Sequence, residues 1–231
     1  MRRAFLELLA VETPSGRESE RVLWASGRTN EFGILLGADE TPLATEVCAR
    51  DPITGQERYQ KHHELITSPD QVQIYETLRR NKKGSFTASF TLGSEMLKDN
   101  RLLPRGWKAE GPGGGLTGMF LEATYPDPAT ARDPRYQDGS GCDEVAYRID
   151  LPTGIDPDRV EIRATLYYQA ITPHFLRRLF ETAPNGPATR RLHYLCSHIN
   201  LRGTPIENWK LRVASATYKL KRPAGRVGST P

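Results

Sequence analysis

His62 and His63 stand side by side, and imidazole is the side chain best suited to hold iron or another transition metal near neutral pH. Neighbouring residues on a strand point to opposite faces, so the pair would not chelate one ion together; a single imidazole reaching a metal on one side is the expectation. His193, Cys196 and His198 form a second group. His193 and Cys196 have the i, i+3 spacing that lets a thiolate and an imidazole meet on one helical face, whereas His193 and His198 lie about 140° apart around a helix and would not share a metal. No orienting group or oxyanion site accompanies them, so a half-buried helix face is the plainer reading and no catalytic residue is expected. Asp138, Ser140, Asp143 and Glu144, within DGSGCDE, place oxygen atoms along one short loop as a calcium ion would need. Without the bidentate glutamate of an EF-hand, the same run also reads as an acidic turn entering a strand. GPGGG at 111–115 lacks the Gly-Lys-Ser/Thr ending of a phosphate loop, and Gly139-Ser140-Gly141-Cys142 is not a nucleophile elbow. Tyr167, Tyr168 and Trp209 could form a stacking platform for sugars or a partner, but alternation along a strand sends the two tyrosines to opposite faces.

The elements that must position these residues are mainly strands. Residues 4–12 read as a buried strand and 21–25 as its hairpin partner, with Pro14, Ser15 and Gly16 between them. Residues 71–77 alternate in period 2 and pair, through the turn at 81–84, with the β-rich run 85–92. Residues 145–151 and 159–171 are further strands, and Val160, Ile162, Ala164, Leu166 and Tyr168 share one face of the second. Thr172 and Pro173 are expected to open a short helix, and a second helix is expected over 187–200 with Leu192, Leu195, Cys196 and Ile199 turned inward. Residues 209–217 return to a strand with Trp209, Leu211, Val213 and Ser215 on one side. The expected fold is therefore mainly β, an antiparallel β-sandwich with a small late helical insertion (172–200). One domain spans 1–222, with long loops at 37–58, 104–118 and 126–141 and a flexible tail at 223–231.

Bulk properties exclude several classes. At 231 residues, 37% hydrophobic and 26% charged, the chain has a folded composition, and no apolar run approaches the roughly 18 residues of a membrane span. The net charge of +4 is spread along the chain rather than gathered on one face, which argues against nucleic acid and leaves an acidic protein partner open. Cys48, Cys142 and Cys196 are too widely spaced for a zinc knuckle and do not fix the redox compartment. The opening MRRAFLELLAVE lacks a clear cleavage site and reads as a strand that begins abruptly, so the chain is open to being a fragment or one part of a larger assembly.

The words RRAFLELL, VLWASGRTN, QVQIYE, KDNRLLPRGW, VAYRI, ATLYYQAI and ENWKL run from about Arg2 to about Leu220. Together the chain resembles the haem-free C-terminal β-rich region of extracytoplasmic multihaem c-type cytochromes. None of these words is a catalytic signature, and the chain contains no Cys-X-X-Cys-His haem-attachment site. The resemblance implies a periplasmic or extracellular, non-catalytic module without covalent haem, whose partner is a haem-bearing cytochrome polypeptide. His62 or His63 is the candidate axial ligand to a haem c on that partner. The alternative reading is an extracellular carbohydrate-binding β-sandwich with a structural calcium.

Overall fold

The computed structural model describes residues 2–13, 19–47, 49–87, 89, 91–108, 124–136 and 139–222. The Pro14–Gly16 turn, Cys48, GPGGG, Asp138 and the tail from residue 223 lie outside the described residues.

The sheet is organised around β1 (Arg3–Glu12), whose near-continuous apolar run puts apolar side chains on both of its faces. β1 pairs along its whole length with β8 (Val160–Gln169), from Arg3 opposite Gln169 to Glu12 opposite Val160. Its other edge is shared by β2 (Arg21–Ser26) and β4 (Ile74–Arg80). β5 (Phe86–Thr87) and β6 (Glu95–Asp99) pair with β4, and β9 (Leu211–Lys219) pairs with β8, giving a seven-stranded antiparallel sheet. A separate two-stranded parallel ribbon joins β3 (Leu65–Ile66) to β7 (Ala146–Tyr147). Two helices follow β8: α1 (Pro173–Thr182) and α2 (Pro187–His198), each with proline in its first turn, where a missing N–H is harmless. The chain is thus mainly β with a large antiparallel sheet and its two helices late.

The two faces of the sheet differ. On one, Phe5 packs with Ile74, Tyr167 and, from the preceding loops, Leu35, Leu43 and Val72. Arg3 lies on the same face, completely enclosed, in a two-pronged pair with Glu46 from the 37–58 loop (2.7 Å for both bonds), while Gln169 accepts from its Nε at 2.7 Å. Lys98 is buried beside Glu76 at 3.4 Å and donates to the Ile74 carbonyl at 2.7 Å. That long loop is therefore structural: it supplies both the apolar cover and the counter-charge for this face. The opposite face carries Ala4, Leu6 and Leu8 of β1 beside Tyr168, Leu166 and Ala164 of β8.

Several local expectations need correction. Among the described residues of the expected 85–92 strand only Phe86–Thr87 are strand, and β6 pairs with β4 as well, Arg79 and Arg80 having partners in both. The 145–151 strand is two residues long and parallel to β3. The period-2 reading of the last strand breaks at a β-bulge opposite Leu166/Tyr167, because one extra residue inverts the alternation beyond it. Leu211, Ala214, Ala216 and Tyr218 consequently share the Leu166 face. On α2, Leu195 and Ile199 are exposed rather than inward, since the helix meets little beyond α1.

Candidate functional site

The uncovered sheet face forms a groove of about 670 Å³, within the size range of roughly 300–1,000 Å³ usual for ligand sites. Leu6, Leu8, Ala164, Leu166 and Tyr168 make its floor, Val145 and Tyr147 a wall, and Arg2 and Arg101 a polar rim. Trp24 meets Tyr147 edge-on at 6.1 Å, holding the wall to β2. Arg101 is bound through two nitrogens to Asp99, at 2.8 and 2.6 Å.

At one end of the groove, Tyr75 and Asp143 lead down to a buried polar cluster around His62. The His62 side chain is 3% exposed and that of Asp133 0%, with Nε2 of His62 2.9 Å from Asp133 Oδ2. The ring's protonation pattern follows from its neighbours. The His63 amide donates to Gln73 Oε1 at 2.9 Å, so the Gln73 amino group must face His62 Nδ1 (3.0 Å) and Asp143 Oδ2 (3.1 Å). The Glu76 amide likewise donates to Asn100 Oδ1 at 3.0 Å, which turns the Asn100 amino group toward the Ile74 carbonyl (2.8 Å) and His62 Nδ1 (3.2 Å). Two donors aimed at Nδ1 require a lone pair there, so Nε2 carries the proton and donates it to Asp133. Asp133 is placed by the short 3-10 turn Thr130–Arg132, which Asp127 caps through the amides of Ala129 and Thr130 and the Thr130 hydroxyl. Tyr136 packs edge-on against His62 at 5.7 Å and donates its hydroxyl to the Arg101 carbonyl. Burial pushes the hydroxyls of Tyr75 and Tyr136 well above the ordinary tyrosine value, and the nearby carboxylates add to it.

Ligand atoms of His62, Asp133 and Asp143 lie within 4.8 Å of one another, a spacing a metal ion could span. The hydrogen bonds oppose that use. A metal on Nε2 would force a proton onto Nδ1 against two amide donors, and Nδ1 is already filled by them. The one open position is Asp143 Oδ1, which is buried and has no hydrogen-bond partner.

His63 differs from His62. The Val72 amide donates to Gln60 Oε1 at 3.3 Å, so that oxygen is an acceptor and His63 Nε2, 3.0 Å away, donates to it. This leaves the Nδ1 lone pair of His63 without a hydrogen-bond partner among the described residues. Burial first, then the charges of Lys98, His62 and Lys61, push the imidazole down to about 4 from an ordinary 6.5, so it is neutral at physiological pH. Of the two expected haem ligands, His62 is closed off by its neighbours and His63 retains a free ring nitrogen.

The expected calcium ligands do not converge among the described residues. Asp143 turns inward to Tyr75 (2.8 Å) and Gln73, Ser140 Oγ accepts from the Cys142 amide at 3.1 Å, and Glu144 is exposed. Asp138 lies outside the described residues. His193 and Cys196 both line a smaller groove of about 370 Å³ between α1, α2 and Trp209. His193 packs edge-on against Phe180 at 4.9 Å, and burial raises the Cys196 thiol, the opposite of what a thiolate nucleophile needs. Tyr167 stacks on Phe5 at 5.7 Å and carries the Lys210 ammonium over its ring, while Tyr168 floors the other face, so the two do not form one platform.

Sequence reasoning missed Gln73, Asn100 and Asp133 as partners of His62. They lie 11, 38 and 71 residues from it, so no local spacing marks them. A signal was nonetheless present. Gln73 and Glu76 fall in QVQIYE, Lys98, Asp99 and Asn100 in KDNRLLPRGW, Arg3 in RRAFLELL, and Gln169 in ATLYYQAI. These words therefore contain part of the buried polar network, while His62, Asp133, Asp143 and Glu46 lie outside them. No family model, no curated protein and no solved structure matches this chain.

Proposed function

We propose that the chain is a non-catalytic structural and docking module of a multihaem cytochrome electron-transfer assembly, acting outside the cytoplasm. It shields haems held by a separate polypeptide and positions that polypeptide's partners. The observation that carries this reading is the open apolar face of β1, β8 and β9. A sheet face bearing Leu6, Leu166, Tyr168, Leu211, Ala214, Ala216 and Tyr218 is expected to be covered, and no described residue covers its β9 side. A haem edge seated in the groove would leave water for a low-dielectric wall, which shifts its potential. Arg2, exposed at the rim, suits a propionate. His63, whose Nδ1 has no hydrogen-bond partner among the described residues, is our candidate ligand to a partner's iron, and it lies outside the residues that line the groove.

The test is gentle purification from the source, an optical spectrum and mass spectrometry of the co-purifying chains. A c-type haem spectrum carried by a separate polypeptide is the expected result. Leu166→Asp, in the groove floor, should release that polypeptide while leaving the circular dichroism of the module unchanged. His63→Ala should shift the haem spectrum. A colourless preparation free of any cytochrome overturns the proposal.

A further inference from the structure

β9 is the last strand of the sheet, and all nine of its residues are exposed, with Leu211, Val213 and Tyr218 at 39%, 56% and 64%. An edge of this length, with an apolar side and no proline, is a template for pairing with another strand. The direction of its free groups follows from one bond. The Leu220 amide donates to the Val160 carbonyl at 2.9 Å, so residues 220 and 160 are a hydrogen-bonded pair. Such pairs recur every second residue, at Tyr218–Ile162, Ala216–Ala164 and Ala214–Leu166. The N–H and C=O groups of Ser215, Thr217 and Lys219 therefore face outward, away from β8.

We propose that this edge pairs antiparallel with β9 of a second copy of the chain, about a twofold axis through Ala216. In that register the outward-facing Ser215 lies opposite Thr217 of the second copy, a pairing in which both hydroxyls can hydrogen-bond. Ala216 faces its own equivalent, and Ala214 faces Tyr218, so a small residue meets a large one. Lys219 faces Val213, and no two like charges stand directly opposite. The axis is normal to the sheet, so the apolar sides of both β9 strands fall on one side and the open face is doubled in width. This inference rests on β9 alone and does not depend on the cytochrome reading.

The experiment is analytical ultracentrifugation of the full chain, with cysteine cross-linking in a background where Cys48, Cys142 and Cys196 are serine. The native chain should sediment as a dimer of the 25.9 kDa protomer. Ala216 and its equivalent form a non-hydrogen-bonded pair, with Cα atoms about 4.5 Å apart, inside the range a disulfide spans. Ala216→Cys should therefore form an interchain disulfide on oxidation, identified by peptide mapping, and Ser215→Cys should not. Ser215→Pro removes an outward N–H without breaking a bond to β8, and should raise the dimer dissociation constant roughly thirtyfold through the loss of two symmetry-related hydrogen bonds. A native chain that stays monomeric as its concentration is raised overturns the proposal, whatever the variants do. Equal cross-linking of the two cysteine variants overturns the register and with it the twofold through Ala216.

Discussion

At the scale of single residues, the molecule invests heavily in buried charge. Burial by itself would lower the Arg3 guanidinium and raise the Glu46 carboxyl; their mutual pairing reverses both, so each stays ionised. Arg3→Ala should therefore cost about 3–5 kcal/mol in urea unfolding, because Glu46 is left charged in an apolar enclosure. The double variant Arg3→Met with Glu46→Leu should recover most of that loss, and a double variant as unstable as the single one would deny the argument. His63 makes a second prediction. Its folded value is depressed to about 4 from 6.5, so the unfolded chain binds a proton that the folded chain refuses. Stability should be unaffected above pH 6.5, fall as pH drops from there toward 4, and lose this contribution to the slope below it. His174, buried and also pushed down, acts in the same direction, so His63→Gln should flatten the acid limb without abolishing it. An unchanged slope in His63→Gln would show that the ring titrates normally.

Among elements, the junction of β1 and β2 depends on a single glycine. Gly27 follows β2 with φ of +77°, and a Cβ there would stand 2.2 Å from the Leu6 carbonyl oxygen. Neither the backbone conformation nor the contact tolerates a side chain, and the obstacle is backbone that cannot rotate away. Gly27→Ala should lower stability by roughly 2 kcal/mol or more, read as a lower melting temperature, and an unchanged melting temperature would show that the turn can relax. The same glycine ends the stretch VLWASG, so one of the words that carries the resemblance has a conformational cause. The register of β1 against β8 is similarly over-determined. A one-residue slip would move Phe5 out of its core and bring Leu6 and Leu8 into the charged layer with Arg3 and Glu46.

For the whole molecule, one side of the sheet is closed by loops and the other stands open. The closed side explains why Leu35, Leu43, Glu46 and Val72 are buried although they lie in a stretch, 28–73, that is poor in regular structure and otherwise mostly exposed or half-buried. The open side is where assembly is proposed, through the groove for a haem-bearing chain and through the β9 edge for a second copy. The sequence by itself determined the β-rich class, the placement of β1, β2, β8 and the late helices, and the shared face of Val160 through Tyr168. Those follow from period-2 and helical spacing, from proline at helix starts and from turn residues, all of which act within a few neighbours. Tertiary structure alone decided that His62 is closed by Gln73, Asn100 and Asp133 while His63 keeps a free nitrogen. It also decided that the acidic run 138–144 sends Asp143 inward and Glu144 out, and that a bulge inverts the faces of β9. Those outcomes depend on hydrogen-bond partners tens of residues apart and on one extra residue in a ladder. Neither leaves a mark in local spacing, because buried polar groups are satisfied by whichever chain segment the fold brings beside them.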